Sequence, residues 1–141
     1  MKEGDFEDVD LTLLSIDSTK LPVRLQMRRM PVCARPPFAG ETVVVATPEG
    51  TARSHVLPLV MVPRQWRGRF DTLIGDVATT GNSGSGVFDA WNHCLLGIIS
   101  RKFSFPLRGS RTDGSPRSVD IGKYFVPARD IKAFIPDGVS Y

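Results

Sequence analysis

Histidine and cysteine are the scarcest of the residues that carry chemistry in this sequence. The 141 residues include two cysteines, Cys33 and Cys94, and two histidines, His55 and His93. Two cysteines are too few for a disulfide framework or for a four-cysteine zinc site. Their separation along the chain does not indicate whether they pair, and we expect two reduced thiols. No metal site and no cofactor is predicted.

Long hydrophobic runs are also absent. No apolar stretch approaches the roughly 20 residues that a membrane-spanning helix requires, and we expect no contact with a membrane. The first ten residues, MKEGDFEDVD, are acidic and have neither the basic nor the apolar region of a signal peptide. The sequence leaves the compartment open, with the cytoplasm expected if Met1 is the natural start. With 41% hydrophobic and 23% charged residues, the chain is expected to form one globular domain with its own core.

Acidic residues are sparse after the first 17 positions, which hold six of the 15 in the chain. The net charge of the whole chain is +3, so the residues after position 17 are clearly cationic. Of the 18 basic residues in the whole chain, 13 are arginine. Such a surface suits acidic partners. Binding of nucleic acid through Arg64, Arg67 and Arg69 around Trp66 is one hypothesis, but nucleic acid is not the expected partner because no recognised DNA or RNA motif accompanies the charge.

Short segments with a period close to two residues dominate the chain. They are rich in Val, Ile, Thr and Phe, and 13 glycines and 11 prolines separate them, which is typical of an all-β antiparallel barrel or sandwich. One helix is predicted over residues 127–135, where a proline fits the first turn and apolar residues recur at helical spacing. Residues 106–118 are predicted to form an exposed loop. The predicted strands are Leu11–Ile16, Val23–Met27, Thr42–Ala46, Ser54–Val62, Arg69–Ile74, Gly86–Asp89, Leu95–Ser100 and Asp120–Val126.

A glycine- and serine-rich loop from Thr79 to Phe88, TTGNSGSGVF, carries the most specific pattern. A phosphate-binding P-loop is excluded because no Gly-Lys-Ser/Thr follows, and a dinucleotide-binding loop because a strand rather than a helix comes next. The nucleophile elbow of α/β-hydrolases is excluded because Ser85 stands where that motif needs glycine. A plain flexible turn between strands remains an alternative.

This loop resembles the nucleophile loop of chymotrypsin- and trypsin-like serine peptidases (the S1 family of the PA clan), in the form found in bacterial glutamyl endopeptidases and HtrA-type enzymes. The resemblance implies that Ser83 is the nucleophile. It also implies that the backbone amides of Gly81 and Ser83 form the oxyanion hole. A polypeptide is then the expected substrate.

Two further segments resemble the same family. The segment DVDLTLLSI is similar to the strand that carries the triad aspartate, with Asp10 at the matching position. The segment LLGIIS is similar to the strand after the nucleophile, and it ends at Ser100. In the family that last serine hydrogen-bonds the triad aspartate, so the resemblance implies a contact between Ser100 and Asp10.

The resemblance covers the C-terminal portion of such an enzyme and implies a fold. The implied fold is an antiparallel six-stranded Greek-key barrel, the second of the two barrels, with a short C-terminal helix. Residues 1–17 would be a remnant of the first barrel with the aspartate strand. Residues 18–40 would connect the barrels, and residues 41–135 would form the second barrel and the closing helix.

The family's catalytic base is missing from the expected place. A serine nucleophile is activated by a neighbouring imidazole that an aspartate orients, and in this family the histidine precedes the aspartate. No histidine precedes Asp10, while His55 and His93 lie in the second barrel and are expected to be structural or surface residues. The chain is therefore a fragment, one chain of a two-chain enzyme whose partner or N-terminal barrel supplies the histidine, or an inactive homologue that binds proteins or peptides. An uncovered apolar patch near residues 9–16 and self-association are expected.

A substrate pocket is implied at Thr79, Ser100 and Lys102. No carboxylate stands at its expected base, so cleavage after Arg or Lys is not expected. Thr79 and Lys102 favour an acidic P1 side chain through a hydrogen bond and a charge. A small or apolar P1 side chain is equally compatible.

Overall fold

The computed structural model describes residues 1–5, 9–26, 30–75, 83–110, 114 and 116–138. In these residues the chain is mostly β, with one six-stranded and one two-stranded antiparallel sheet and a short helix near the C-terminus. The strands are β1 (Lys2–Glu3), β2 (Thr12–Leu13), β3 (Thr42–Thr47), β4 (Gly50–His55), β5 (Leu73–Ile74), β6 (Gly86–Asp89), β7 (Leu95–Ser110) and β8 (Pro116–Pro127). The α-helices are α1 (Val23–Gln26) and α2 (Ala128–Phe134), and 3-10 turns lie at Ser18–Lys20, Leu59–Met61 and Arg64–Trp66.

The large sheet has the strand order β4-β3-β6-β7-β8-β5, and every neighbouring pair is antiparallel. Alternation of buried and half-buried residues explains β3, in which Val43 and Val45 are fully buried. An isolated antiparallel bridge between Val56 and Ile74 links the end of β4 to β5, the strand at the opposite edge. The amide of Leu57 donates to the carbonyl of Leu73 at 2.7 Å in the same place.

Two apolar clusters cover the two faces of the sheet. The first contains Val43, Val45, Val87 and Phe125, and the second contains Tyr124 and Val126 with aromatic residues from the loop before β5. Strand β8 therefore buries both of its faces, as its unbroken apolar stretch YFV suggests. Helix α2 and the N-terminal segment lie over the second cluster, to which they contribute the side chains Val9, Leu11, Ile131 and Ile135.

Several predicted elements are confirmed. Strands β3 and β6 have the predicted positions, β7 begins at the predicted residue, β8 contains Asp120–Val126, and α2 lies within residues 127–135. The apolar patch predicted near residues 9–16 is partly exposed: Leu14 and Ile16 are each 60% exposed, whereas Val9 and Leu11 pack on the second cluster. Of the predicted Greek-key barrel, the strand pairing confirms the antiparallel sheet of six strands.

Other segments differ from the prediction. The predicted strands Leu11–Ile16 and Arg69–Ile74 are strands only at Thr12–Leu13 and Leu73–Ile74. The predicted strand Val23–Met27 is wrong, because its first four residues form the helix α1, which follows a proline. The predicted strand Ser54–Val62 ends at His55, since Pro58 interrupts it and a 3-10 turn follows. The predicted loop 106–118 is largely the far end of a hairpin, in which Ser110 of β7 still pairs with Pro116 of β8. Backbone pairing extends these strands beyond the core, so hydrophobic pattern alone does not reveal them.

The prediction of two reduced thiols is wrong: Cys33 and Cys94 form a disulfide, with their Cα atoms 5.0 Å apart. The chain brings them together because Val32 forms a parallel bridge with Leu95, and the amide of Cys33 donates to the Leu95 carbonyl at 2.9 Å. The segment before β3 is thereby fastened to the start of β7. A separation of 61 residues contains no information about this neighbourhood.

Candidate functional site

Three residues singled out in the sequence, Asp10, Ser83 and Ser100, lie together. The Ser100 hydroxyl donates to Oδ2 of Asp10 at 2.6 Å. The Ser83 hydroxyl donates to the backbone carbonyl of Ser100 at 2.9 Å. Ser100 therefore contacts both of the other residues, one through its side chain and one through its main chain.

A β-bulge places Ser100 at the centre of this arrangement. Ile99 is paired with Phe125 and Arg101 with Tyr124, so Ser100 is an extra residue in β7 with no partner position on β8. A bulged residue is released from the regular ladder. Its carbonyl and hydroxyl are consequently available to Ser83 and Asp10, while the residue as a whole remains 8% exposed.

Residues of the glycine- and serine-rich loop that follow Ser83 are hydrogen-bonded to β7. The Gly84 amide donates to the Ile99 carbonyl at 2.8 Å, and the Ile99 amide donates to the Ser85 carbonyl at 2.8 Å. Gly84 has a φ of +87°, a conformation that side chains rarely adopt, which explains the glycine directly after Ser83. Ser83 itself is exposed and borders a cavity of about 350 Å³. Its hydroxyl thus lies at the surface and within reach of a ligand.

Asp10 reaches Ser100 because the N-terminal segment folds back on itself. Strands β1 and β2 pair, and the Gly4 amide donates to the Leu11 carbonyl at 2.8 Å. The Lys2 ammonium anchors this hairpin to α2 by donating to the Phe134 carbonyl at 2.7 Å. Burial of Val9 on the second cluster fixes the neighbouring Asp10. A carboxylate from one end of the chain is thereby placed beside a strand ninety residues later.

Two of the residues predicted for the site, Thr79 and Gly81, lie outside the described residues. Of the predicted oxyanion pair, only the amide of Ser83 belongs to a residue that the structure describes. The implied pocket therefore rests on its other two members, Ser100 and Lys102.

Lys102 has a carboxylate partner that sequence reasoning missed. Its Nζ lies 2.5 Å from Oδ2 of Asp120 on the neighbouring strand, and the Ser104 hydroxyl donates to Oδ1 of the same carboxylate at 2.7 Å. The hydrogen bond from Lys102 is the largest of the effects that lower the pKa of Asp120, followed by that from Ser104. The register of β7 against β8, in which Asp120 lies opposite Ser104, creates this contact, and the sequence spacing alone gives no signal for it. An acidic ligand at Lys102 would compete with Asp120.

Neither histidine joins the site. His55 is the last residue of β4 and is exposed, and His93 is an exposed turn residue with a φ of +53°. Within the described parts of the chain, neither imidazole hydrogen-bonds to Ser83 or Asp10. The prediction that both are structural or surface residues agrees with their exposed positions.

A second polar cluster, also missed from the sequence, supports the fold away from Ser83. The Arg35 guanidinium contacts Glu41 and Asp89 at 2.6 Å each. Asp89 also accepts hydrogen bonds from the Trp91 and Asn92 amides and from the Asn92 side chain. Burial would raise the pKa of Asp89, but these hydrogen bonds and the Arg35 charge outweigh it and lower the pKa to about 2. The cluster joins the segment before β3 to the β6–β7 turn.

Other kinds of site are not seen in the described residues. Among them, no group of three or more His, Cys, Asp or Glu side chains is arranged to hold a metal ion. No helix in the same residues is long and apolar enough to cross a membrane. A larger cavity of about 430 Å³, between residues 33–39 and the start of α2, shares no lining residue with the cavity at Ser83.

Comparisons with family models, with curated proteins and with solved structures find no match to this chain.

Proposed function

We propose that this chain is the C-terminal portion of a trypsin-like serine endopeptidase, with Ser83 as nucleophile and Asp10 as the carboxylate that orients the base. The observation that carries this proposal is the pair of hydrogen bonds joining Asp10 to Ser100 and Ser83 to Ser100. The resemblance implies the first of them. In an unrelated β-protein, a contact between these two residues, which are 90 positions apart, would not be expected.

The arrangement lacks one component of the mechanism. Asp10 and Ser83 contact Ser100 from two sides, and in the proposed enzyme an imidazole lies between them, accepting the serine proton and donating its other N–H to the carboxylate. The source of that imidazole is a first barrel, either upstream in the same polypeptide or in a partner chain. The exposed side chains of Leu14 and Ile16, next to the aspartate segment, are the surface that the first barrel would cover.

The proposal also extends to the sheet. We propose that the six strands form the second, Greek-key barrel of this family, closed where β4 meets β5. The Val56–Ile74 bridge and the Leu57 hydrogen bond to Leu73 support closure, because they join the two edge strands of the sheet. In such a barrel Ser83 would lie at one rim, beside the bulge at Ser100.

Labelling with a fluorophosphonate probe tests the proposal on the chain as it stands. Free imidazole can replace a missing histidine side chain when the nucleophile and the carboxylate are already in place. We expect slow labelling of Ser83 without imidazole and faster labelling as imidazole is added. The labelled peptide, identified by mass spectrometry, should contain Ser83.

Matched variants separate this chemistry from non-specific acylation. Ser83→Ala should abolish labelling, whereas Ser85→Ala, in the same loop, should retain it. Asp10→Asn should remove the imidazole dependence. Labelling that persists in Ser83→Ala, or that does not respond to imidazole, contradicts a peptidase site.

The second candidate function is a non-catalytic module that binds proteins or peptides. It is favoured by the Ser83 hydroxyl being engaged with the Ser100 carbonyl and by the absence of either histidine from the site. In that case Ser83 remains unlabelled in the presence of any fragment that supplies a histidine. The two candidates therefore differ in the same measurement.

The substrate preference is proposed to be an acidic or a small P1 residue. Lys102 lies two residues after Ser100, but its charge is paired with Asp120. Asp120→Asn should therefore increase the preference for an acidic P1 side chain in a peptide library offered to the completed enzyme. Exclusive cleavage after Lys or Arg would overturn the proposed preference.

A further inference from the structure

An apolar tip protrudes from the connection between β4 and β5, on a part of the chain that the proposed catalytic site does not use. The tip consists of Leu59, Val60 and Met61, which form a single 3-10 turn. Their side chains are 50%, 76% and 48% exposed, respectively. Three consecutive large apolar residues are thus exposed to solvent, and Leu59 also lines the cavity of about 430 Å³.

The backbone of the tip is restrained by two prolines and by hydrogen bonds from Arg67. Pro58 and Pro63 flank the turn and restrict its backbone. The Arg67 guanidinium donates from Nε to the Val62 carbonyl at 2.9 Å and from Nη2 to the Val60 carbonyl at 3.0 Å. These bonds tie the charged side chain to the backbone of the tip. The apolar residues are therefore held outward by the fold, and their exposure is built into it.

The charge around the tip is mainly positive. Residues 50–71 contain four arginines, at positions 53, 64, 67 and 69, and one acidic residue, Asp71, whose carboxylate accepts a hydrogen bond from the Gly68 amide at 2.6 Å. Arg64, Arg67 and Arg69 are all exposed and lie within eight residues of Met61. Another exposed apolar segment, around Leu14 and Ile16, lies instead among the acidic residues of the N-terminal segment.

In contrast to the expectation from the sequence that the chain does not contact a membrane, we propose that this tip binds the surface of an anionic lipid membrane, with the three apolar side chains among the lipid headgroups and the arginines on the phosphates. Basic residues beside an exposed apolar segment are the combination that such surfaces attract. The tip is too small for a stable protein interface, which buries about 800 Å² on each partner.

Nucleic acid fits the same region less well. Single-stranded nucleic acid is bound by aromatic faces on which bases stack. Of the two aromatic residues in this region, Phe70 is buried. Trp66 is only half-exposed, and its ring packs on that of Phe103 with centroids 4.4 Å apart. The exposed tip offers aliphatic side chains and methionine, which have no ring faces. The structure therefore favours a lipid surface over the nucleic-acid hypothesis raised by the arginines.

Sedimentation with vesicles tests this proposal without any assay of Ser83. The full chain is mixed with vesicles of phosphatidylcholine alone or of phosphatidylcholine with phosphatidylserine. We expect binding to the anionic vesicles and weakening of that binding by salt, because added ions screen the arginines. Arg64→Glu should weaken binding roughly thirtyfold, since each elementary charge near an anionic surface contributes about a fivefold factor.

Two variants of similarly exposed residues provide the matched comparison. Val60→Asp should abolish vesicle binding, whereas Leu14→Asp, at an apolar position of comparable exposure in the acidic N-terminal segment, should leave it unchanged. Circular dichroism establishes that both variants fold. Absence of binding to anionic vesicles at low salt overturns the proposal, as does equal binding by Val60→Asp and the parent chain. Retention of a single-stranded oligonucleotide that Arg64→Glu loses and Val60→Asp keeps would overturn it in favour of nucleic acid.

Discussion

Ser100 donates a hydrogen bond of 2.6 Å to Asp10, a residue ninety positions earlier in the chain. The bond joins the N-terminal hairpin to the bulge of β7 and so attaches a short, two-stranded element to the main sheet. It also holds the Asp10 carboxylate close to the Ser100 carbonyl, which accepts a hydrogen bond from the Ser83 hydroxyl. This one contact therefore contributes both to the stability of the fold and to the geometry of the candidate site.

Removing that hydroxyl is expected to destabilise the protein. Ser100→Ala should lower the free energy of unfolding by about 1–2 kcal/mol, since a hydrogen bond to a carboxylate contributes about that much when it is partly buried. Urea denaturation measures the change. Ser104→Ala removes a similar hydrogen bond to Asp120 on the exposed part of the same strand and should have a smaller effect. Equal effects would show that the bond to Asp10 has no special role.

Acid should destabilise the fold through Asp89. Its pKa is about 2 in the folded protein, below the ordinary 3.8, because hydrogen bonds and the Arg35 charge outweigh the effect of burial. The folded state therefore binds fewer protons than the unfolded state in this range, and stability falls as the pH decreases from about 4 to about 2. The loss attributable to this group is about 2 kcal/mol.

Asp89→Asn provides the test of that assignment. Urea denaturation at a series of pH values should show a weaker pH dependence between about 4 and 2 for the variant than for the parent chain. Glu49→Gln is the control, because Glu49 is exposed in the turn between β3 and β4. A pH dependence that Asp89→Asn leaves unchanged would assign the acid sensitivity to other carboxylates.

Reduction of the disulfide should lower stability substantially. A cross-link that closes a loop of 61 residues restricts the unfolded chain and contributes about 4 kcal/mol in the chain-entropy description. Unfolding in urea with and without dithiothreitol measures this difference. The double variant Cys33→Ser, Cys94→Ser should unfold at a lower urea concentration and should not respond to reductant. Identical curves for the parent chain with and without reductant would contradict the disulfide.

Alkaline conditions should act on Tyr124. Burial raises the pKa of its phenol to about 12, from an ordinary value of 10. The folded state keeps the proton longer than the unfolded state does, so the stabilisation is complete below about pH 10 and is lost as the pH rises towards 12. Ultraviolet titration of tyrosinate should show a late step that is absent from Tyr124→Phe. A titration in which every tyrosine has its midpoint near pH 10 would indicate that this ring is exposed to solvent.

The sequence predicts the parts of the fold that depend on local pattern. Strands β3 and β6 alternate at a period of two residues, and α2 has a helical apolar face, so each was predicted close to its observed position. The hairpin beyond Phe103 was missed because its residues pair through the backbone without entering the core. The disulfide was missed because it depends on Val32 lying beside Leu95, a contact between distant segments.

The candidate site was predictable to a similar degree. Asp10, Ser83 and Ser100 were selected by their resemblance to a family motif, and the structure brings all three together. The pairing of Lys102 with Asp120 was not predictable, because it depends on the register of β7 against β8. Motifs indicate which residues have a particular chemistry, whereas register decides which of their charges are already compensated.

The extra residue at position 100 also determines how β7 would respond to a change in length. Residues that lie opposite each other on paired strands share a face of the sheet, so loss of a residue without a partner leaves the faces of the others unchanged. Deletion of Ser100 would therefore keep Phe103 opposite Gly122 and in contact with Trp66 and Phe70. It would remove only the residue that links Asp10 to Ser83. The candidate site thus depends on a residue that the regular pairing of the sheet does not need.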